Sequence, residues 1–106
     1  MTLERLVLTS FAKAELFRVH RYYERKQHGL GDRFLDEVQS AFRLIKAHPR
    51  AWTKLEDNIY RCRLNVFKYG ILYRIDGQVG IVFVIGPLAR RPQFWRRLLN
   101  NQREKP

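Results

Sequence analysis

The sequence predicts an α+β fold in which two helices pack on one face of a mostly antiparallel sheet. Near residues 11–28 and 32–48, apolar residues recur every three or four positions, as they do on the buried face of a helix. From Ile59 onward the repeat changes to two, which is typical of half-buried strands. The dipeptide Asp76-Gly77 separates two of these strand segments and favours a tight hairpin, so we expect antiparallel pairing.

A short strand and a helical hairpin make up the first half of the prediction. Leu3 to Leu8 is the strand, and Thr9 or Ser10 can then accept from the free amides of the first helix. Gly29 and Gly31 interrupt the helical pattern before Asp32, which suits the start of the second helix. Pro49 should end that helix at His48. The predicted buried stripes are Ala12, Leu16, Val19 and Tyr23 on the first helix, and Phe34, Val38, Ala41, Phe42 and Ile45 on the second.

In the second half, strands are predicted near residues 59–66, 69–75 and 79–85, after a loop at 50–58. Strand parity assigns Leu72 and Arg74 to the face away from the helices. The face under the helices should be lined by Ile71, Tyr73, Ile75, Val79, Ile81, Phe83 and Ile85. One or two helical turns are predicted from Phe94 to Leu99. We expect one domain over residues 1–99 and a frayed tail at 100–106.

The composition excludes several classes of protein. No apolar run approaches the roughly 18 residues needed to cross a bilayer, and the N-terminus lacks a secretory signal pattern, so we expect a cytoplasmic protein that does not enter membranes. The single Cys62 cannot form an internal disulfide. No His pair with ligand spacing and no phosphate-binding glycine loop is present, and we therefore expect neither a metal nor a cofactor.

The positive charge is concentrated in the second half of the chain. The net charge is +11, of which residues 58–106 contribute +8 and residues 1–57 contribute +3. If Tyr60, Cys62 and Leu64 face one side of a strand, Arg61 and Arg63 must face the other. The wider basic set interleaves with aromatic residues, a mixture that suits phosphate binding and base stacking. Its members are Arg61, Arg63, Lys68, Arg74, Arg90 and Arg91, with Trp95 among the aromatics.

Such a surface has the charge for RNA cleavage but not an evident set of proton carriers. Cleavage by the RNA's own 2′-hydroxyl needs a base, an acid and positive charge at the phosphate, and it needs no metal. Arginine supplies only the charge, because its pKa lies above about 12. Lys68 or a tyrosine would have to move the protons. Catalysis therefore stays open on the residues alone.

The order of elements and four local segments resemble the RelE/ParE toxin superfamily of bacterial type II toxin–antitoxin systems. The segments are YYERKQHGLGDRFLDEV at Tyr22 to Val38, AHP at Ala47 to Pro49, RCRLNVFKYGILYRIDG at Arg61 to Gly77, and RRPQFWRR at Arg90 to Arg97. The similarity covers nearly the whole chain. It implies a growth-inhibiting toxin, as in plasmid-stabilisation systems, that is held silent in a hetero-oligomer with a cognate antitoxin.

The resemblance also implies two alternative targets. RelE-type members cut mRNA on the ribosome without a metal, whereas ParE-type members inhibit DNA gyrase without catalysis. By position, Arg61, Arg63 and Arg74 match the basic residues of the central strands, with Lys68 as a further catalytic candidate. Arg90, Arg91 and Trp95 would bind nucleic acid or the target. Pro87 occupies the place where many similar chains carry a histidine, which argues for weakened activity or a different target.

We expect translation, through ribosome-dependent mRNA cleavage, to be the target, because three arginines on one sheet face suit a phosphate backbone. Inhibition of DNA gyrase is the alternative. A third possibility is a basic binding module without toxicity. The hairpin is slightly more similar to ParE-type members, and the high charge favours an RNA-rich target.

Overall fold

The computed structural model describes the backbone of residues 2–104 and the side chains of residues 2–100. Its elements in chain order are β1 (Arg5–Leu8), α1 (Ser10–Lys26), α2 (Leu30–Ala47), β2 (Thr53–Glu56), β3 (Ile59–Arg63), β4 (Tyr69–Asp76), β5 (Val79–Pro87) and α3 (Pro92–Glu104). Helices α1 and α2 pack on one face of a five-stranded sheet, and α3 packs on the other. The predicted α+β architecture is confirmed.

The helical hairpin forms where the sequence predicts it. Thr9 caps α1, and its side-chain oxygen accepts from the amide of Ala12 at 3.1 Å. The two helices lie close together at Gly31, because a Cβ there would clash with the carbonyl oxygen of His20. Helix α2 ends before His48, as the following proline requires. Phe34 is fully buried, whereas Phe42 is only partly buried at the edge of the core.

The sheet has the order β1-β5-β4-β3-β2 and is antiparallel except for the β1–β5 pair. The predicted loop at 50–58 is wrong, because Thr53–Glu56 forms the edge strand β2 against β3. A β-bulge between Lys54 and Glu56 breaks the alternation in this four-residue strand, so no clear period-two pattern announces it. The β4–β5 hairpin forms as predicted, and Gly77 has a φ of 61° in its tight loop.

A second bulge corrects the predicted face of β5. Leu72 lies opposite Val84 but Tyr73 lies opposite Val82, so Phe83 is the extra residue. One extra residue reverses the parity of everything on its far side. Of the seven residues predicted under the helices, Val79, Ile81 and Phe83 therefore lie on the opposite face. Ile71, Tyr73, Ile75 and Ile85 lie where predicted, in the core under α1 and α2.

Helix α3 closes the second face of the sheet. Trp95 and Leu99 are buried there in a second apolar cluster formed by Ile59, Leu72, Phe83 and Val84. The helix starts before the predicted Phe94 and continues past Leu99 to Glu104, so it includes residues 100–104 of the predicted tail. The last two residues of that tail lie outside the described residues. None of the helices within residues 2–104 is both long and apolar enough to cross a bilayer.

Candidate functional site: an arginine-lined cavity under the third helix

The strand register places three predicted site residues on one face of the sheet. Arg61 lies opposite Leu72, Arg63 opposite Gly70, and Arg74 opposite Ile59. Directly opposed residues share a face, so all three arginines lie on the side away from α1 and α2. Arg61 and Arg74 are diagonal neighbours, a relation that brings side chains within about 7–8 Å. The parity prediction for these arginines is confirmed.

This face is not an open basic surface, because α3 lies on it. Arg63 stays exposed, whereas Arg61 and Arg74 are half-buried beside the apolar cluster. The Nε atoms of Arg61 and Arg74 are buried and have no hydrogen-bond acceptor among the described residues. A buried donor without a partner is costly unless a ligand or water supplies an acceptor. The Nε–H groups of both arginines are therefore donors for which an oxyanion or a water could supply the acceptor.

Between α3 and the sheet lies a cavity of about 160 Å³, called here the arginine cavity. Apolar side chains form part of its wall, and four guanidinium groups surround it. Its lining includes Leu72, Val84, Trp95, Arg61, Arg90, Arg91 and Arg96. The structure thus brings Arg61, Arg90, Arg91 and Trp95 of the predicted set together. Arg63, Lys68 and Arg74 do not line the cavity.

Two of the four cavity arginines already have acidic partners. Arg90 donates from Nη1 to Glu15 at 2.7 Å, and Arg96 donates from Nε to Glu56 at 3.0 Å. Outside the cavity, Arg74 pairs with Asp76 at 3.7 Å. Neither Arg61 nor Arg91 has an acidic partner within 4 Å among the described side chains. Arg61 and Arg91 are therefore the cations that the cavity offers to a ligand.

Arg90 has a structural position that its sequence context did not indicate. The carboxylate of Glu15 is fully buried and also accepts from the amide of Ile85 at 2.9 Å. Strand β1 pairs only as far as Val82, so Glu15 replaces a missing neighbour at the edge of β5. The guanidinium of Arg90 lies 4.1 Å from the ring centre of Phe94. Arg90 thus ties the segment before α3 to α1.

Trp95 is mostly buried and is not a free stacking platform. Its ring contacts Phe83 edge-on at 6.5 Å, and Arg96 lies 5.2 Å from its centre.

Lys68 is exposed in the loop between β3 and β4. That loop is held by Glu37 of α2, whose carboxylate accepts from the amides of Asn65 and Val66.

Sequence reasoning missed Glu15 and Arg96. Glu15 lies three residues after Ala12 and four before Val19, so its place on the buried stripe was a usable signal. Arg96 belongs to the RRPQFWRR segment. Its partner Glu56 lies on β2, a strand that the sequence did not predict, so their ion pair could not be predicted either.

The arginine cavity can bind an anion but offers no group for proton transfer. Its described lining contains no His, Asp, Glu, Lys, Tyr or Cys side chain. Tyr73 lies on the other face of the sheet, where burial raises its pKa and its hydroxyl donates to the carbonyl of Pro49. Cys62 is also buried on that face. Neither side chain reaches the cavity.

One group of potential metal ligands exists elsewhere among the described residues, at the tip of the helical hairpin. Ligand atoms of His20, Glu24 and Asp32 lie within 4.8 Å of one another. The two oxygens of Glu24 accept from the amides of Gly29 and Asp32, which lowers the pKa of this carboxyl. His20 bonds to Asp32 at 2.9 Å. These contacts cap the start of α2, so the position of the three side chains has a structural explanation that needs no metal.

Comparison with known proteins gives the family. No curated protein matches the sequence. In fold, the chain is similar to a structure of the chromosomal ParDE toxin–antitoxin system from P. aeruginosa, with a TM-score of 0.69 and 11% identity over 78% of this chain and 94% of that one. It is also similar to the isolated E. coli RelE toxin, with a TM-score of 0.59 and 17% identity over 95% of this chain and 99% of that one. The sequence model described as the ParE toxin of the type II toxin–antitoxin system parDE matches residues 6–91, and the chain therefore belongs to this family.

Proposed function

We propose that this toxin inhibits growth by binding its target through the arginine cavity, without catalysis, and that a cognate antitoxin silences it. The observation that carries the proposal is the cavity itself: four arginines on an apolar wall, with no proton carrier in the described lining. Arginine forks bind carboxylates and phosphates with two parallel hydrogen bonds. An apolar wall beside them suits an anchoring side chain of a protein partner.

The ParE-type target, DNA gyrase, agrees best with binding that needs no catalysis. Membership of the ParE toxin family supports it, as does the engagement of Arg74 and Arg90 with acidic side chains. Both ion pairs reduce the charge available to a scissile phosphate. This reverses the order of preference from the sequence, which favoured translation.

Ribosome-dependent mRNA cleavage is the second candidate. It is favoured by the placement of Arg61, Arg63 and Arg74 on one sheet face, where they could hold a phosphate backbone. Lys68, exposed on the neighbouring loop, would then have to transfer a proton.

The test replaces Arg61 and Arg91 by Gln, singly and together, with Arg43→Gln as control. Arg43 is exposed on α2, on the opposite side of the sheet, and its guanidinium donates to the hydroxyl of Ser40. We expect the Arg61 and Arg91 variants to lose growth inhibition and inhibition of gyrase supercoiling, and the control to retain both. Thermal unfolding checks that each variant is folded.

Primer extension on mRNA from induced cells separates the two targets. Intact mRNA with inhibited supercoiling supports the proposal. Discrete cuts in translated mRNA that disappear in Arg61→Gln, with supercoiling unaffected, would establish the nuclease instead.

A further inference from the structure

The outer flank of α1 carries a second cationic surface, remote from the arginine cavity. Arg18, Arg21, Arg25 and Lys26 recur at helical spacing and line one shallow groove together with Tyr22. His20 and Glu24 bond to α2 or to its N-terminal turn, so the groove lies on the side of α1 that faces away from α2. We call these four cations the α1 stripe.

No exposed acid on α1 offsets this stripe. The helix contains two carboxylates: Glu15 is fully buried, and both oxygens of Glu24 bind backbone amides. Arg18 lies 3.7 Å from Glu15, but its side chain is 59% exposed. Arg21 and Arg25 have no acidic partner within 4 Å among the described residues. Helix α2 differs, because its exposed basic residues are mixed with Asp32 and Asp36.

A purely structural reason accounts for only part of the stripe. Cations in the last turn of a helix are stabilised by its dipole, which explains Arg25 and Lys26. That effect fades within one turn, and Arg18 has a contact to Glu15, so the residue left unexplained is Arg21 in the middle of the helix. Arg21 adds repulsion to its cationic neighbours without an acidic partner within 4 Å among the described residues.

We propose that the α1 stripe binds the phosphate backbone of a nucleic-acid duplex. From Arg18 to Arg25 the helix advances about 10.5 Å, and over that length a DNA duplex presents about six negative charges, at one per 1.7 Å of axis. The guanidinium fork fits a phosphate bidentately. A duplex therefore presents more than one phosphate for each of the four cations over the length of the stripe.

The aromatic residues argue against a single strand or a protein as the occupant. Tyr22 is 49% exposed, but Lys26 lies over its ring at 4.7 Å and Tyr23 contacts it edge-on at 5.3 Å, so one cation and one ring already compete with a base for it. The exposed Phe17 lies outside the groove. The groove thus lacks the apolar centre of a protein interface. Binding through it should be independent of base sequence, since phosphates carry no sequence information.

The test compares two triple variants of the full chain that remove the same charges. The first carries Arg21→Gln, Arg25→Gln and Lys26→Gln on the α1 stripe. The matched control carries Arg33→Gln, Arg43→Gln and Lys46→Gln on exposed positions of α2. Fluorescence anisotropy with a labelled 16-base-pair DNA duplex, the equivalent RNA duplex and one DNA strand is measured across a salt series.

We expect wild type to bind the duplex with an affinity that falls steeply with salt. In the α1 variant, the slope of log K against log salt should shrink by about 2.7, at about 0.9 per lost phosphate contact. The α2 control should retain most of the wild-type slope. Whether DNA or RNA gives the larger change identifies the source of the phosphates.

Three outcomes would overturn the inference. They are equal changes in the two variants, tighter binding of the single strand than of either duplex, or duplex binding by the α1 variant that is unchanged from wild type. The inference does not depend on the proposed function. Duplex binding that persists in Arg61→Gln while growth inhibition is lost would separate the two sites.

Discussion

Replacing Glu15 by Ala should destabilise the fold more than any exposed charge change, because this fully buried carboxylate accepts two hydrogen bonds. The amide of Ile85 would lose its acceptor, and an unsatisfied buried donor costs about 1–3 kcal/mol. Arg90 would lose its ion pair. Since its side chain is 27% exposed, water would screen part of that loss, and about 1 kcal/mol is a reasonable share. The total is about 3 kcal/mol.

Urea unfolding followed by tryptophan fluorescence measures this cost. Glu15→Gln should cost less than Glu15→Ala, because the amide oxygen still accepts from Ile85. Glu4→Ala, at an exposed position, is the control and should change stability by less than about 0.5 kcal/mol. A double-mutant cycle with Arg90→Ala should give a coupling energy of about 1–2 kcal/mol. A cost below about 1 kcal/mol for Glu15→Ala, or no coupling to Arg90, would refute the assigned role of this pair.

Two further predictions concern the core under the helices. Phe34→Ala should cost about 3–5 kcal/mol of stability in urea unfolding, because Phe34 is fully buried. Phe42→Ala should cost less, since the partly exposed ring of Phe42 leaves a smaller cavity. Equal costs would contradict this ranking. Burial, together with the charge of Glu37, raises the pKa of the Cys62 thiol to about 11. A raised folded-state pKa contributes stability that is complete below the ordinary thiol pKa of about 8.5 and is lost as pH rises toward 11. Between pH 7 and pH 9.5, the urea midpoint should therefore fall less in Cys62→Ala than in wild type. Identical falls would show that Cys62 does not contribute to the pH dependence of stability.

The sequence was sufficient for the helices and the central hairpin because those elements carry strong local signals. The apolar stripes of α1 and α2 repeat at helical spacing, and Asp76-Gly77 specifies a tight turn. The bulge at Phe83 had no such signal. Val79, Ile81, Phe83 and Ile85 are all apolar, so an extra residue among them changes the face of three side chains without changing the apolar pattern.

The site was harder to predict than the fold because it is assembled from distant segments. Register alone placed Arg61, Arg63 and Arg74 on one face, and that required only strand parity. Strand parity could not show that α3 would cover this face. Nor could it show that Glu15, 75 residues before Arg90, would form an ion pair with Arg90. Long-range ion pairs have no local sequence pattern, so the sequence could not show which arginines of the basic set have carboxylate partners and which do not.

The distribution of free charge follows from these pairs and differs from the distribution along the chain. By sequence, the second half carries +8 and the first half +3. In the folded chain, Arg74, Arg90 and Arg96 of the second half all have carboxylate partners, and two of those partners, Glu15 and Glu56, come from the first half. Helix α1 meanwhile loses the offsetting effect of Glu15 and keeps its stripe of exposed cations. The toxin thus presents unpaired positive charge on both sides of its sheet, and an acidic partner that covers only the arginine cavity would leave the α1 stripe free.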